Sequence, residues 1–241
     1  MNVMQRFLAA TSLFLAACTG GTMPAPHSRA TWGQAGSGPL PPALAAQNFV
    51  SVLRAVEPVA ESLCASVNPS SNCDFQIAVD QRRGAPPNAF QTVDDAGRPI
   101  IVFTLSLIAG ARNRDELAFI MGHEAGHHIA GHLPRQQESA LEGAMVAGAL
   151  ASLSGATPRE IDRAAQIGAG LAARRYSKTF EFEADMIGTR IAFAAGFDPV
   201  LGAAFFDRLP DPGDRFLGSH PAHDDRKTLV AQETARLRGG V

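Results

Sequence analysis

Residues 121–132 read MGHEAGHHIAGH, four histidines and one glutamate in twelve positions. On a helix at about 100° per residue, His123 and His127 lie about 40° apart and share a face. His128 and His132 have the same spacing, so two ligand pairs compete and spacing alone does not choose between them. Glu124 flanks the opening between His123 and His127, whereas Ile129 takes its place in the rival pair. His-Glu-x-x-His is a zinc-hydrolase pattern with a physical basis. Two imidazoles one turn apart can hold one tetrahedral ion, and the glutamate between them can take the proton of an attacking water. His128 falls on the side of Leu117 and Met121, the expected core face. It and His132 read as wall or packing residues, with His132 near a helix C-terminus where a protonated ring suits the macrodipole.

The flanks support a helix. Asn113 can cap it, and Glu116 follows three residues later. The pattern continues through the histidines and is expected to stop before Pro134. A catalytic zinc needs a third protein ligand. The best source is SKTFEFEADMIGTR (177–190), where Glu181 and Asp185 lie one turn apart on one face. Glu181 can ligate, and Asp185 can accept a hydrogen bond from the far nitrogen of a ligand histidine. Glu183 points away from that pair. The alternative is an acidic helix face in water.

Upstream, Phe49, Val52, Leu53, Val56 and Leu63 follow helical spacing, with a kink expected at Pro58. FQIAVD (75–80), AFQTV (89–93) and PIIVFT (99–104) read as strands, with DDAG (94–97) turning between the last two. Small and apolar SALEGAMVAGALASLSG (139–155) reads as a closely packed helix able to move over the site. Thr157-Pro-Arg-Glu160 is a capping box opening the next helix, which breaks near Ser177 and ends at Gly196. DPVLGAAFFDRL (198–209) gives a short helix, and a last helix follows Pro221.

The first residues set the compartment. An apolar run from Phe7 to Ala17 follows Arg6 and is too short to span a bilayer, so it reads as a secretory signal. Leu15-Ala16-Ala17-Cys18 resembles the bacterial lipobox, which implies cleavage before Cys18 and its acylation. Several acyl chains make a durable membrane anchor. No Asp follows the cysteine, and the resemblance points to the outer membrane, facing the periplasm. Residues 1–17 are thus the signal, the Gly/Pro/Ser/Thr-rich stretch 18–43 a tether, and 44–241 the catalytic domain. Cys64 and Cys73 remain, an even pair in an oxidising compartment, and read as a disulfide. Hydrophobic content is 46%, charged content 18% and net charge -2, which suits a globular core and gives no footprint for nucleic acid. Abundant Ala and Gly predict close helix contacts.

HEAGHHIAGH followed by YSKTFEFEAD resembles the paired motifs of the HtpX and CAAX prenyl protease family of zinc metallopeptidases, over roughly residues 45–235. The resemblance implies an α+β, mostly helical, zincin-like domain with a small antiparallel sheet packed against the active-site helix. It implies one Zn²⁺ on His123, His127 and Glu181, with Glu124 as general base and Asp185 orienting a ligand. PNAF (87–90) resembles the family's strand before the active-site helix, placing Asn88 and Ala89 at a substrate-binding edge. SHPAHDDR (219–226) resembles its late His-Pro segment, where His220 would stabilise the oxyanion or latch the metal. The alternative is that His220 only begins a helix. The chain shows neither the transmembrane helices of HtpX nor a helical-repeat extension. With its lipobox and cysteine pair it is most similar to the small outer-membrane lipoprotein metalloproteases. Expected partners are protein or peptide substrates, the membrane through Cys18, and envelope assembly machinery. The competing function is an assembly factor or chaperone-like binder in which proteolysis is incidental.

Overall fold

Apolar residues at helical spacing build the first wall of the core. In α1 (Pro42–Val67), Phe49, Val52, Val56, Ala60 and Cys64 form one buried face, and the helix runs through Pro58. The computed structural model describes residues 40–175, 177–208 and 224–240. The expected lipidation site Cys18 and the late His220 lie outside the described residues.

Three strands follow: β1 (Gln76–Asp80), β2 (Ala89–Val93) and β3 (Pro99–Thr104). Their order is β1-β3-β2. Asp94 to Arg98 closes a β2–β3 hairpin as expected, with Gly97 at φ 76°. The expectation of a wholly antiparallel sheet needs correction: β2 and β3 are antiparallel, but β1 and β3 run parallel. PIIVFT is the most apolar of the three runs and takes the centre, where both its edges are paired. The link 81–88 therefore carries the chain across β3 to the far edge. Cys64 and Cys73 form a disulfide with Cα atoms 5.7 Å apart, tying the end of α1 to the approach of β1.

After α2 (Leu105–Gly110) comes α3 (Arg114–Ile129), buried on nearly every side. The Asn113 side chain accepts from Glu116 N at 2.8 Å, the expected cap. The Glu116 carboxylate accepts from Arg112 N and meets the Arg208 guanidinium on both oxygens. The expected stop before Pro134 is corrected. α3 ends at Ile129, Gly131 turns left-handed at φ 65°, and α4 (His132–Leu153) begins at once. Pro134 sits in the first turn of α4, where its missing N–H costs nothing. His128 and His132 therefore belong to different helices, and His132 opens a helix rather than closing one.

α4 pairs with α5 (Pro158–Arg175) through a seam that includes Gly143, Ala147, Gly168 and Ala172. This is the close packing expected of α4, because only small residues let the two helices close on each other. Large apolar side chains on the outside of the pair, Leu141, Met145, Val146, Leu150, Leu153, Ile167 and Leu171, are exposed. No described helix is long and apolar enough to cross a membrane. Thr157 and Glu160 form the expected capping box. α6 (Ser177–Ala194) ends near Gly196 (φ 88°), and α7 (Pro199–Ala203) runs into a 3-10 turn (Ala204–Arg208). α8 (Asp224–Arg238) closes the fold, and its Glu233 bonds Arg190 of α6.

Candidate metal centre

The site forms where α3 and α6 touch backbone to backbone. A Cβ on Gly122 would lie 2.8 Å from Gly188 O, and one on Gly126 would lie 2.8 Å from Ala184 O. Glycines at these points let α6 carry Glu181 and Asp185 up to the imidazoles of α3. His123 Nε2 and His127 Nε2 are 3.0 Å apart, and each is 3.4 Å from a Glu181 carboxylate oxygen. A tetrahedral zinc with bonds of about 2.0–2.1 Å needs donors about 3.3–3.4 Å apart, so two nitrogens and a carboxylate at these separations fit the ion. All three residues are buried, and together they form a cluster able to hold a metal ion.

The far side of His123 is anchored. Its Nδ1 lies 2.9 Å from Asp185 Oδ1, the contact expected from sequence. Burial alone pulls the His123 pKa down, but the hydrogen bonds and charges of Asp185 and Glu181 reverse this and raise it from 6.5 to about 9. Burial pushes the other way on Asp185, yet Arg226 and His123 hold it below the usual carboxylate value. Arg226 donates to both Asp185 oxygens at 2.6 and 2.7 Å and pairs with Glu181 at 2.9 Å. This arginine is 1% exposed and packs over the Phe206 ring.

Sequence reasoning did not single out Arg226. It arrives on α8, 41 residues after Asp185, and its only signal was the last letter of the quoted SHPAHDDR. Glu124 is buried beside His123 and shares a narrow, mostly apolar cavity with Phe119, Ile120, Phe205, Phe206 and Arg226. That cavity places a carboxylate next to the metal ligands in surroundings that hold little water.

The rival histidines go elsewhere. His128 Nε2 bonds Asn72 O at 2.7 Å, and its ring meets Phe75 edge-on. This is the packing role expected of it. His132 does more than pack: its Nδ1 lies 2.7 Å from His127 Nδ1, and its Nε2 lies 3.0 Å from Glu183 Oε2. Glu183, set aside in the sequence reading, also accepts from Arg135 at 2.9 Å. This chain was missed because it joins α4 to α6, and periodicity within one helix cannot report it.

At the sheet edge, Asn88 exchanges hydrogen bonds with Thr104, while its side-chain Oδ1 is buried with no hydrogen-bond partner among the described residues. Ala89 is fully buried, so its side chain packs the core. β2 is nonetheless an edge strand of the sheet among the described residues.

Two relatives share about half of this chain. The "Mitochondrial metalloendopeptidase OMA1" of Arabidopsis thaliana is 29% identical over 137 residues, covering 55% of this chain and 27% of that protein. A "Putative beta-barrel assembly-enhancing protease" of Vibrio cholerae is 31% identical over 147 residues, 54% of this chain and 29% of that protein. The chain thus spans less than a third of the length of these curated relatives. The family described as "Peptidase family M48" matches residues 47–233, most of the chain and every ligand named above, and the chain belongs to that family.

Proposed function

We propose that this protein is a zinc-dependent endopeptidase that hydrolyses peptide bonds of periplasmic or membrane proteins. One observation carries the reading: two imidazole nitrogens and a carboxylate converge at tetrahedral spacing beside Glu124, a buried carboxylate suited to act as a base. A zinc ion bound there would acidify a water and polarise a substrate carbonyl. Glu124 takes the proton of the attacking water and later delivers it to the leaving amine. Asp185, held by Arg226, fixes the ring of His123 so that Nε2 faces Glu181, in position to hold the ion. The outer edge of β2 offers backbone groups to an extended substrate strand. His220 is proposed to donate to the oxyanion or to latch the metal.

The lipobox-like Leu15–Cys18 supports attachment to the outer membrane by acylation of Cys18, facing the periplasm. The name of the Vibrio relative, an assembly-enhancing protease, supports envelope assembly machinery as a partner, and a role in envelope protein quality control is part of the same proposal. Metal analysis of the purified protein should give one zinc per chain. Removing it with a chelator should abolish casein cleavage, and adding Zn²⁺ should restore it. Full cleavage after metal removal would refute the reading.

A further inference from the structure

The two ligand histidines are supported differently. His123 backs directly onto a carboxylate, as metal-bound histidines commonly do. His127 backs onto a second imidazole, 2.7 Å away, which in turn meets Glu183. Two imidazole nitrogens in hydrogen-bond contact cannot both donate or both accept. If His127 Nε2 holds the ion, its proton sits on Nδ1 and is donated to His132 Nδ1. That nitrogen must then be bare, so the His132 proton sits on Nε2 and is donated to Glu183. Arg135 holds the carboxylate from outside, and the Phe180 ring stacks flat on His132 at 4.3 Å, leaving the imidazole one plane to occupy. Every proton in the row has one place.

We propose, resting on the zinc reading above, that His132 and Glu183 are positioning residues for the second ligand. The pair fixes the Nδ1-protonated tautomer of His127 and aims its Nε2 at the ion. Neither residue belongs to the His123–His127–Glu181 cluster. The row binds the start of α4 to α6 across the glycine turn at Gly131, so the same contacts that orient the ligand also set where the α4–α5 hairpin leaves the domain.

The test uses Zn²⁺ alone, titrated against a chelator into the full chain, with long-range ¹H–¹⁵N spectra of the zinc-loaded protein. His132→Ala should weaken zinc binding roughly 10–100-fold, the scale seen when such supporting partners are lost. Glu183→Ala should weaken it measurably. Glu183→Gln should restore it to within about threefold, because its amide oxygen still accepts from His132. The spectra should show His132 protonated on Nε2 and bare on Nδ1. His132 protonated on Nδ1, or zinc affinity unchanged in both alanine variants, overturns the inference. If His132→Ala fails to fold, the Glu183 pair and the spectra decide alone. Zinc retained in full by His123→Ala would instead sink the three-ligand reading itself, so the two failures are distinct.

Discussion

His123 Nδ1 faces Asp185 at 2.9 Å while Nε2 faces His127 at 3.0 Å, so the ring sits between a carboxylate and another imidazole. Without metal, the carboxylates around it favour the protonated ring, with its pKa raised from 6.5 to about 9. A raised value means that the proton's contribution to the stability of the metal-free fold is fully present below about pH 6.5 and is lost as pH rises through about 9. Zinc must displace that proton, so uptake at pH 7 should release about one proton per ion from His123. Calorimetric titrations of Zn²⁺ in two buffers of different ionisation enthalpy measure the release, and a value near zero would contradict the assignment. At this scale the sequence was legible where one helix holds both partners, as with His123, Glu124 and His127. Across helices it was legible only for Glu181 and Asp185, where spacing on α6 and the paired motifs pointed to α3. Arg226 and the His132–Glu183 contact depend on how α4, α6 and α8 are arranged, and no local period encodes that.

The approach of α3 to α6 sets the geometry of the site. A Cβ on Gly188 would fall 2.7 Å from His123 N and 2.9 Å from His123 Cα, both backbone atoms that cannot swing aside. Gly188→Ala must separate the helices, and overpacking of this kind costs about 1–3 kcal/mol. In a domain of this size each kcal/mol lowers Tm by about 2–4 °C. The variant should melt several degrees lower and bind zinc more weakly, because Glu181 and Asp185 ride on α6. Gly170 is the control: nothing lies within 4 Å of its Cβ position, so Gly170→Ala should raise Tm slightly through helix propensity. Equal Tm values for Gly188→Ala and wild type would argue against the close-contact account. The Asn113 cap, the β2–β3 turn and the Thr157 capping box could be read from sequence because each is a local hydrogen-bonding pattern. The end of α3 could not. Pro134 is compatible with a helix start as well as a stop, and the left-handed turn at Gly131 decided between them. The parallel pairing of β1 escaped for a related reason, since alternation identifies a strand but not its neighbour.

At the scale of the whole molecule, the disulfide ring meets the C-terminal end of α3 through Asn68 and Asn72 but shares no residue with the His123–His127–Glu181 cluster. Cys64–Cys73 closes a small ring that contains Asn72, whose backbone oxygen bonds His128. Loop-closure entropy assigns such a ring about 2–3 kcal/mol. Reduction should lower Tm by about 4–12 °C while the zinc content of the folded protein at 25 °C stays the same. Loss of zinc on mild reduction would show that the two regions are coupled. The mostly helical α+β class and the domain core were legible from patterning and motif order, because the apolar faces of α1 and β3 follow their periods, while α3, buried on nearly every side, was marked by its cap and its histidine spacing. The exposed apolar face of the α4–α5 hairpin was not, because its residues also fit an interior helix.

The central claim is that His123, His127 and Glu181 hold the ion while Glu124 moves the proton. It is tested most directly by Glu124→Gln, purified with its metal and assayed on casein beside the wild type. The account predicts one zinc per chain, an unchanged Tm, and a hydrolysis rate lower by about 10²–10⁴-fold, the contribution of a positioned base. A zinc-loaded Glu124→Gln protein that cleaves casein at the wild-type rate would contradict it.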